Sequence, residues 1–423
     1  MKIFIVGTGA QGGPCAAVLA RDKNVSEIVL GDIDLDLANK VKEKIKSDKI
    51  TATRVDAGKV EDIERAARGA DAIINLTLTA FNENIMQAAL KSGAHYVDTS
   101  FGEPSLLDIC ARDNILAQII EKRPLAFDSE FKEAGLTALV GCGGSPGVTN
   151  ILTKYICDKL DHVDEIHIRD GEKLLETEDV VKGWEPTWSP FRTLWGYAVE
   201  PAIFKDGEYR KYPIFSGCEE HNFPDPVGSV LISYHQHQET ITLPHFIGKG
   251  VKYVGFKYTV DPLLGALVKM GFANPESVDV KGTKVVPRDV LLKLTPHPIN
   301  AFLAEDEITA KLPPKFTEFC DVEIKGERSG ESMKYKIWWP ASLSTNAEER
   351  CEIYRRFGAT NIGVALPAIV GAKMCVQGLA EKGLVSSECL DPIKFLKMMA
   401  GMGVPVKFNE VLSKQVSLSQ SAN

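Results

Sequence analysis

The sequence predicts an α/β protein in two parts. A doubly wound parallel sheet of Rossmann type comes first, and an α+β domain with a largely antiparallel sheet follows. Three observations predict this. Short β-branched runs alternate with amphipathic stretches over roughly the first 145 residues, a glycine-rich turn closes the first run, and longer runs of period-two alternation take over beyond residue 163.

Taken in order, the early runs are Lys2–Val6, Glu27–Leu30, Ile50–Val55, Asp71–Leu76, His95–Thr99 and Leu136–Val140. Between them, Leu35–Lys46 places Leu35, Ala38, Val41 and Ile45 on one helical face, and Asn82–Ser92 reads the same way. Strands separated by helices pair in parallel. Ser145-Pro146-Gly147 then opens a helix over Val148–Leu160. Beyond it, Glu165–Arg169, Val230–His237, Lys252–Tyr258, Phe319–Lys325 and Tyr335–Trp339 read as strands. Lys205-Asp206-Gly207-Glu208 and Arg328-Ser329-Gly330-Glu331 carry the signature of two-residue hairpin turns. After Pro340 the pattern is helical again, over Ala347–Phe357, Asn361–Lys382 and Pro392–Met399. The expected organisation is a dinucleotide domain over 1–145, a substrate and dimerisation domain over 146–345, and helices over 346–410 that pack back on the first domain.

Composition narrows the function classes. The 423 residues are 44% hydrophobic and 25% charged, as in an ordinary globular protein of two or three domains. A net charge of −8 and a pI near 5.6 exclude nucleic acid and anionic membrane as expected partners, and are compatible with a basic substrate. The chain opens directly into a strand without a signal-peptide pattern and lacks an apolar run of ~18 residues. Its nine cysteines form no C-x-x-C pair, so reduced thiols in a cytoplasmic protein are expected, and no metal site is.

The strongest motif is Gly7-Thr8-Gly9-Ala10-Gln11-Gly12, between the first strand and the first helix. In such a turn Gly7 permits the bend, Gly9 admits the pyrophosphate and Gly12 allows close packing, while Ala10 and Gln11 lead into the helix whose free N–H groups attract phosphate. Asp32 ends the second strand, about 20 residues on, where a carboxylate accepts from ribose hydroxyls and repels a 2′-phosphate. NAD is therefore expected over NADP. Further strand ends should face the cofactor: Asp56 and Ala57 toward the adenine, Asn75 and Thr77 toward the pyrophosphate and ribose, and Thr99 after the fifth strand. Asp56 reads equally well as a turn or helix cap.

These segments resemble the saccharopine dehydrogenase family, most closely its lysine 6-dehydrogenase branch. The resemblance runs over nearly the whole chain. It rests on Val6–Gly12, Arg54-Val55-Asp56-Ala57-Gly58, Ser145-Pro146-Gly147-Val148-Thr149-Asn150, Trp188-Ser189-Pro190, Glu200-Pro201-Ala202, the strand-like His237-Gln238-Glu239-Thr240-Ile241-Thr242-Leu243-Pro244, and Val286-Pro287-Arg288-Asp289-Val290-Leu291. It implies a Rossmann domain, an α+β domain carrying the contacts of a homodimer, and hydride transfer at a carbon bearing nitrogen.

Oxidising an amine needs a base for the ammonium proton and an anchor for any carboxylate. Arg192 is the candidate anchor, because guanidinium pairs bidentately with carboxylate; it reads equally well as a surface Arg paired with an acid on its own helix. His221 sits in an irregular segment suited to a site mouth. His235 and His237 alternate and so face one side, which is either a cleft or a packed face. Glu103 is read more readily as a helix N-terminal carboxylate than as a substrate ligand. The expected function is NAD-dependent oxidation at a C–N bond of an amino acid or related amine. The alternatives are reductive condensation of the saccharopine or carboxynorspermidine type, and a non-catalytic dinucleotide-binding protein.

Overall fold

The computed structural model describes residues 1–102, 115–175, 184, 186, 189–296, 299–312, 316–344 and 346–414; Glu103 and Trp188 lie outside these. Six strands occupy the places the early runs predict: β1 (Lys2–Val6), β2 (Glu27–Asp32), β3 (Ile50–Arg54), β4 (Ala72–Asn75), β5 (His95–Asp98) and β6 (Thr137–Val140). They join a seven-stranded parallel sheet in the order β17-β6-β5-β4-β1-β2-β3, whose outer member is β17 (Gly383–Ser386). Alternation along β1 builds two cores at once: Ile3 and Ile5 enter one, Phe4 and Val6 the other.

The second sheet is mixed. Its path is β10-β11-β12-β7-β15-β16-β18, formed by β7 (His162–Leu174), β10 (Glu219–Asn222), β11 (Ser229–Tyr234), β12 (Tyr253–Thr259), β15 (Phe316–Arg328), β16 (Glu331–Pro340) and β18 (Asn409–Lys414). The hairpin β8 (Ala202–Lys205) and β9 (Glu208–Lys211) attaches to β12, and β13 (Val278–Val280) with β14 (Thr283–Val285) forms a separate ribbon. All these pairings are antiparallel except β12 with β7. Both predicted hairpin turns join their strands with two residues.

One face of this sheet is continuous with the core of the first. Ile166 and Ile168 of β7, Val254 and Phe256 of β12, and Cys320 and Val322 of β15 pack in the same cluster as Ile3, Ile5 and the helix Val148–Cys157. We call this the inner face. The outer face carries Arg169, Asp321, Glu323 and Lys336, with a small separate cluster of Phe223, Val227, Ile232 and Phe319.

The C-terminal segment departs from expectation. The helix expected over Asn361–Lys382 spans Ala365–Val376, packs on β4, β5 and β6, and yields to the fully buried strand β17. The chain then crosses to the other sheet as β18, so its last part serves both layers. A second correction falls on Val230–His237: β11 ends at Tyr234, and the expected strand around His237–Pro244 is the helix Glu239–Phe246. Gln238 donates to Ser100 Oγ at 2.8 Å and to the Phe101 carbonyl at 2.8 Å, and Thr240 Oγ1 donates to the His237 carbonyl at 2.8 Å. These tertiary and local bonds override the β-branched, alternating pattern.

Candidate active site

The glycine turn is built for a ligand's backbone-close approach. Gly7 has φ of +93°, and its N–H donates to the Gly31 carbonyl at 2.8 Å, which brings the loop across the ends of β1 and β2. A Cβ on Gly12 would lie 2.1 Å from the Gly7 carbonyl oxygen, so this glycine lets the helix start against its own loop. A Cβ on Gly9 would meet nothing within 4 Å, leaving open space over the turn. Gln11 precedes the helix Gly12–Arg21, and its side chain makes no capping hydrogen bond to the first turn. Ala10 lies in the same turn. These features fit a dinucleotide pyrophosphate, which when bound brings a hydride-accepting nicotinamide.

Asp32 stands at the end of β2. Its Oδ2 accepts from the Thr8 N–H at 2.6 Å and Thr8 Oγ1 at 2.7 Å, and its Oδ1 from the Asp34 N–H at 2.9 Å. The carboxylate is thus fixed beside the glycine turn and half-buried. Asp56 accepts from the Gly58 N–H at 3.0 Å and pairs loosely with Lys59, the arrangement of a turn residue. Ala57 takes a 3.2 Å bond from Asn84 on its carbonyl.

Asn75 is bonded within the protein. It is 2% exposed, donates to Asn82 at 2.8 Å and Tyr96 at 2.9 Å, and accepts from the Thr77 N–H at 3.0 Å and hydroxyl at 2.7 Å. Its role is to hold the turn that carries Thr77. Sequence reading missed the rest of this network: Asp98, at the end of β5, accepts from Tyr96 at 2.8 Å, from Asn82 at 3.3 Å and from the Gly141 N–H at 2.7 Å. Burial pushes the Asp98 carboxyl up to about 7. Thr99 follows it, half-buried, where a Cβ on Gly143 would come within 3.3 Å of the threonine Cβ.

The second half of the site lies directly against these strand ends. Gln238 is tied to the loop after β5, and Glu239 accepts from Ser145 Oγ, in the loop after β6, at 2.6 Å. His237 immediately precedes them. Its Nδ1 is closely paired with Glu239 Oε2, and its ring stacks on Phe256 at 4.1 Å between centroids and 14° between planes. About a fifth of the His237 side chain remains exposed, whereas Glu239 is fully buried. Ligands of open parallel sheets sit beyond the carboxyl ends of the strands, the side of the sheet on which the loops bonded to Gln238 and Glu239 lie.

On the same inner face stand three acids, Asp170 and Glu172 of β7 and Glu318 of β15. Asp170 is 2% exposed and accepts from Cys320 Sγ at 3.2 Å, while Tyr258 donates to Glu172. Burial first, and then the neighbouring Glu318 carboxylate, hold Asp170 well above the carboxylate range. Burial raises Glu318 and takes Glu172 to about 8. His235 lies between Tyr197 and Tyr258, 5.0 and 5.1 Å from their ring centroids. Burial takes His235 down to about 3, with the charges of His237 and Arg192 adding to the effect. Arg192, on the helix Pro190–Ala198, therefore lies at the same cluster, with its guanidinium 4.7 Å from the Trp195 ring centroid.

The structure brings Arg192 and His237 together and leaves His221 apart. His221 Nε2 is 2.8 Å from Asp321 Oδ2, which also binds Lys336 at 2.7 Å, on the outer face. The strand alternation that carries Asp170 and Cys320 inward turns Asp321 outward, so His221 serves an ion-pair network behind the sheet. Among the described residues no group of His, Cys, Asp and Glu is arranged to hold a metal ion.

Comparison with known proteins agrees with this architecture. Residues 3–139 match the saccharopine dehydrogenase NADP binding domain, and residues 143–404 match the saccharopine dehydrogenase C-terminal domain. Carboxyaminopropylagmatine dehydrogenase of Synechocystis sp. is 27% identical over 412 residues, 96% of each chain. Carboxynorspermidine synthase of Vibrio cholerae is 25% identical, again over 96% of each chain. Saccharopine dehydrogenase (L-Glu forming) of Saccharomyces cerevisiae shares the fold, with a TM-score of 0.64 at 14% identity over 97% of this chain and 99% of that one. With both family models matched end to end across cofactor sheet and second domain, the chain belongs to the saccharopine dehydrogenase family.

Proposed function

We propose that this protein is a nicotinamide-dependent oxidoreductase acting on a C–N bond that joins a cationic amine to a carboxylate-bearing chain. The observation that carries the reading is that Gln238 and Glu239, the residues next to His237, bond to the loops after β5 and β6, with Glu239 paired to His237 on the face that carries the acids Asp170, Glu172 and Glu318. In this reading the inner-face acids, which burial favours in the neutral form, ionise against the cationic amine end of the substrate, and Arg192 holds its carboxylate. His237 exchanges the proton of the substrate nitrogen as hydride passes between carbon and nicotinamide. Gly7, Gly9, Ala10, Gln11 and Gly12 cradle the pyrophosphate. Asp32 receives the ribose, Asp56 and Ala57 border the adenine, and Thr77 and Thr99 border the nicotinamide half.

The physiological direction is reductive condensation, which the synthase name of the Vibrio cholerae relative favours over simple deamination. The cofactor is NAD, selected by Asp32. A specific observation favours NADP as a second reading: Arg54 is exposed and in register with Asp32 at the end of β3, within the reach of a 2′-phosphate. A cytoplasmic setting accords with the free state of the cysteines among the described residues, and a homodimer would form on the region 163–340. No helix among the described residues is long and apolar enough to cross a membrane.

The test is a screen of diamines and polyamines with aldehyde-bearing amino acids, following reduced-cofactor absorbance, alongside fluorescence titration of NADH and NADPH. We expect turnover with a diamine partner, and binding of NADH at least tenfold tighter than NADPH. Tight cofactor binding with no turnover would leave a non-catalytic binding protein. An NADPH preference would transfer the cofactor assignment to Arg54. Light scattering is expected to return a dimer.

A further inference from the structure

We infer that Glu239 is a positioning residue that fixes the tautomer of His237, and that Ser145 makes this arrangement depend on the seating of the cofactor domain. The inference rests on the oxidoreductase reading above, and its first test is independent of turnover.

Glu239 is fully buried, yet it does not pair with a lysine or arginine. Both of its oxygens are committed to polar partners, Oε1 to the Ser145 hydroxyl and Oε2 to His237 Nδ1. A buried carboxylate against one ring nitrogen keeps the proton on that nitrogen, because Nδ1–H is then the donor the carboxylate requires. The imidazole consequently offers Nε2 as a lone pair. Stacking on Phe256 limits rotation of the ring, and the bond from Thr240 to the His237 carbonyl fixes the backbone. The result is a base whose orientation is set by side chains not themselves exposed to substrate.

The chemistry follows from that tautomer. In the oxidative direction the substrate ammonium gives one proton to Nε2, and the freed nitrogen lone pair closes the C=N bond as the C–H hydrogen leaves with its electron pair, the hydride that a bound oxidised nicotinamide would accept. The imidazolium so formed is stabilised by Glu239, which lies against its Nδ1–H. In the reverse direction the imidazolium returns the proton.

Ser145 adds a condition. It belongs to the loop after β6 of the cofactor sheet, while Glu239 opens a helix packed on β12 of the second sheet. The neighbouring Gln238 is bonded to Ser100 and Phe101 after β5. Three bonds between the two halves thus converge on one tripeptide, and the proton-transfer group is complete only when the halves are seated together. The other titratable groups facing His237 are Glu318 from β15, with Asp170 and Glu172 of β7 behind it, and His235 from its own segment, beyond which lies Arg192.

The experiment uses the full chain labelled with 15N-histidine, with His237→Gln to assign the resonance. In the wild type we expect the neutral ring to carry its proton on Nδ1. In Glu239→Gln the Nε2–H form should appear, and kcat/KM should fall at least about 100-fold with cofactor affinity unchanged, because the orienting carboxylate is gone. Ser145→Ala should keep the tautomer and lower kcat/KM about three- to tenfold, the loss of one hydrogen bond. A wild-type Nε2–H tautomer overturns the inference. So does a Glu239→Gln protein, folded by its melting curve and cofactor binding, whose tautomer and kcat/KM are unmoved. If no amine turns over while the Nδ1–H tautomer is found, the oxidoreductase reading has failed and the positioning by Glu239 has not.

Discussion

The glycine turn after β1 and the inner face of the second sheet meet at one site, but they are specified in opposite ways. In the turn the backbone does the work: open space at Gly9, contact at Gly12 and a left-handed bend at Gly7 lie within six consecutive residues. On the inner face, side chains from β7, β15, β12 and the segment 235–239 are assembled by sheet register, with Asp170 and Glu318 separated by almost 150 positions in the chain. A backbone site can be written locally. A side-chain site exists only after the strands have found their register.

The two glycines of the turn give the largest contrast. Gly12→Val would drive a branched side chain into the Gly7 carbonyl, so we expect cofactor affinity to fall more than about 100-fold and stability to fall by about 2–4 kcal/mol. Gly9→Ala meets no atom in the protein and should leave the melting temperature almost unchanged, while lowering affinity about tenfold because its methyl group enters the ligand's space. Fluorescence titration and thermal melting of both variants check this; equal losses of stability would break the distinction.

Arg192→Ala addresses the inner-face cluster alone. Leaving a substrate carboxylate unpaired typically costs ~2–5 kcal/mol, so kcat/KM should drop at least about 30-fold while cofactor affinity holds. Steady-state kinetics beside a cofactor titration reads both. Loss of the two ligands together would make Arg192 a structural residue.

A smaller effect, on stability, comes from Asp98, which underlies the border between the two regions. Its folded value of about 7 lies above the ordinary carboxylate range, so the folded state holds an extra proton between pH ~4 and 7. The stability it contributes is therefore full at low pH and declines as pH rises through that window. Asp98→Asn cannot titrate, so between pH 5 and 8 it should gain about 2 kcal/mol relative to the wild type in denaturant unfolding. A constant difference at all pH values would mean that Asp98 stays ionised.

What the sequence made legible follows the same division. The six strands β1–β6 and the turn were readable because strand length, glycine spacing and helix periodicity are local properties. Arg192 and His237 were found by residue type, yet nothing in their spacing announced that they would share a cluster. His221 was drawn to the site by its irregular loop, but the parity of β15, visible only in register, puts its partner Asp321 on the outer face. Asp170, Glu172 and Glu318 gave no signal, since Glu and Asp on a strand ordinarily mark a solvated edge. The strand-like look of His237–Pro244 came from real alternation, His237, Glu239, Ile241 and Leu243, overruled by the bonds of Gln238 to a distant loop.

The placement of β17 has a consequence for biosynthesis. Strand β6 is complete at Val140, but its outer neighbour is delivered only with Gly383–Ser386, after every strand of the second sheet but β18 has been translated. During that interval β6 is a hydrophobic edge with no partner, the kind of surface that recruits other nascent chains. A ribosome stalled or terminated before residue 383 would release a cofactor domain whose glycine turn is intact and whose sheet is unfinished.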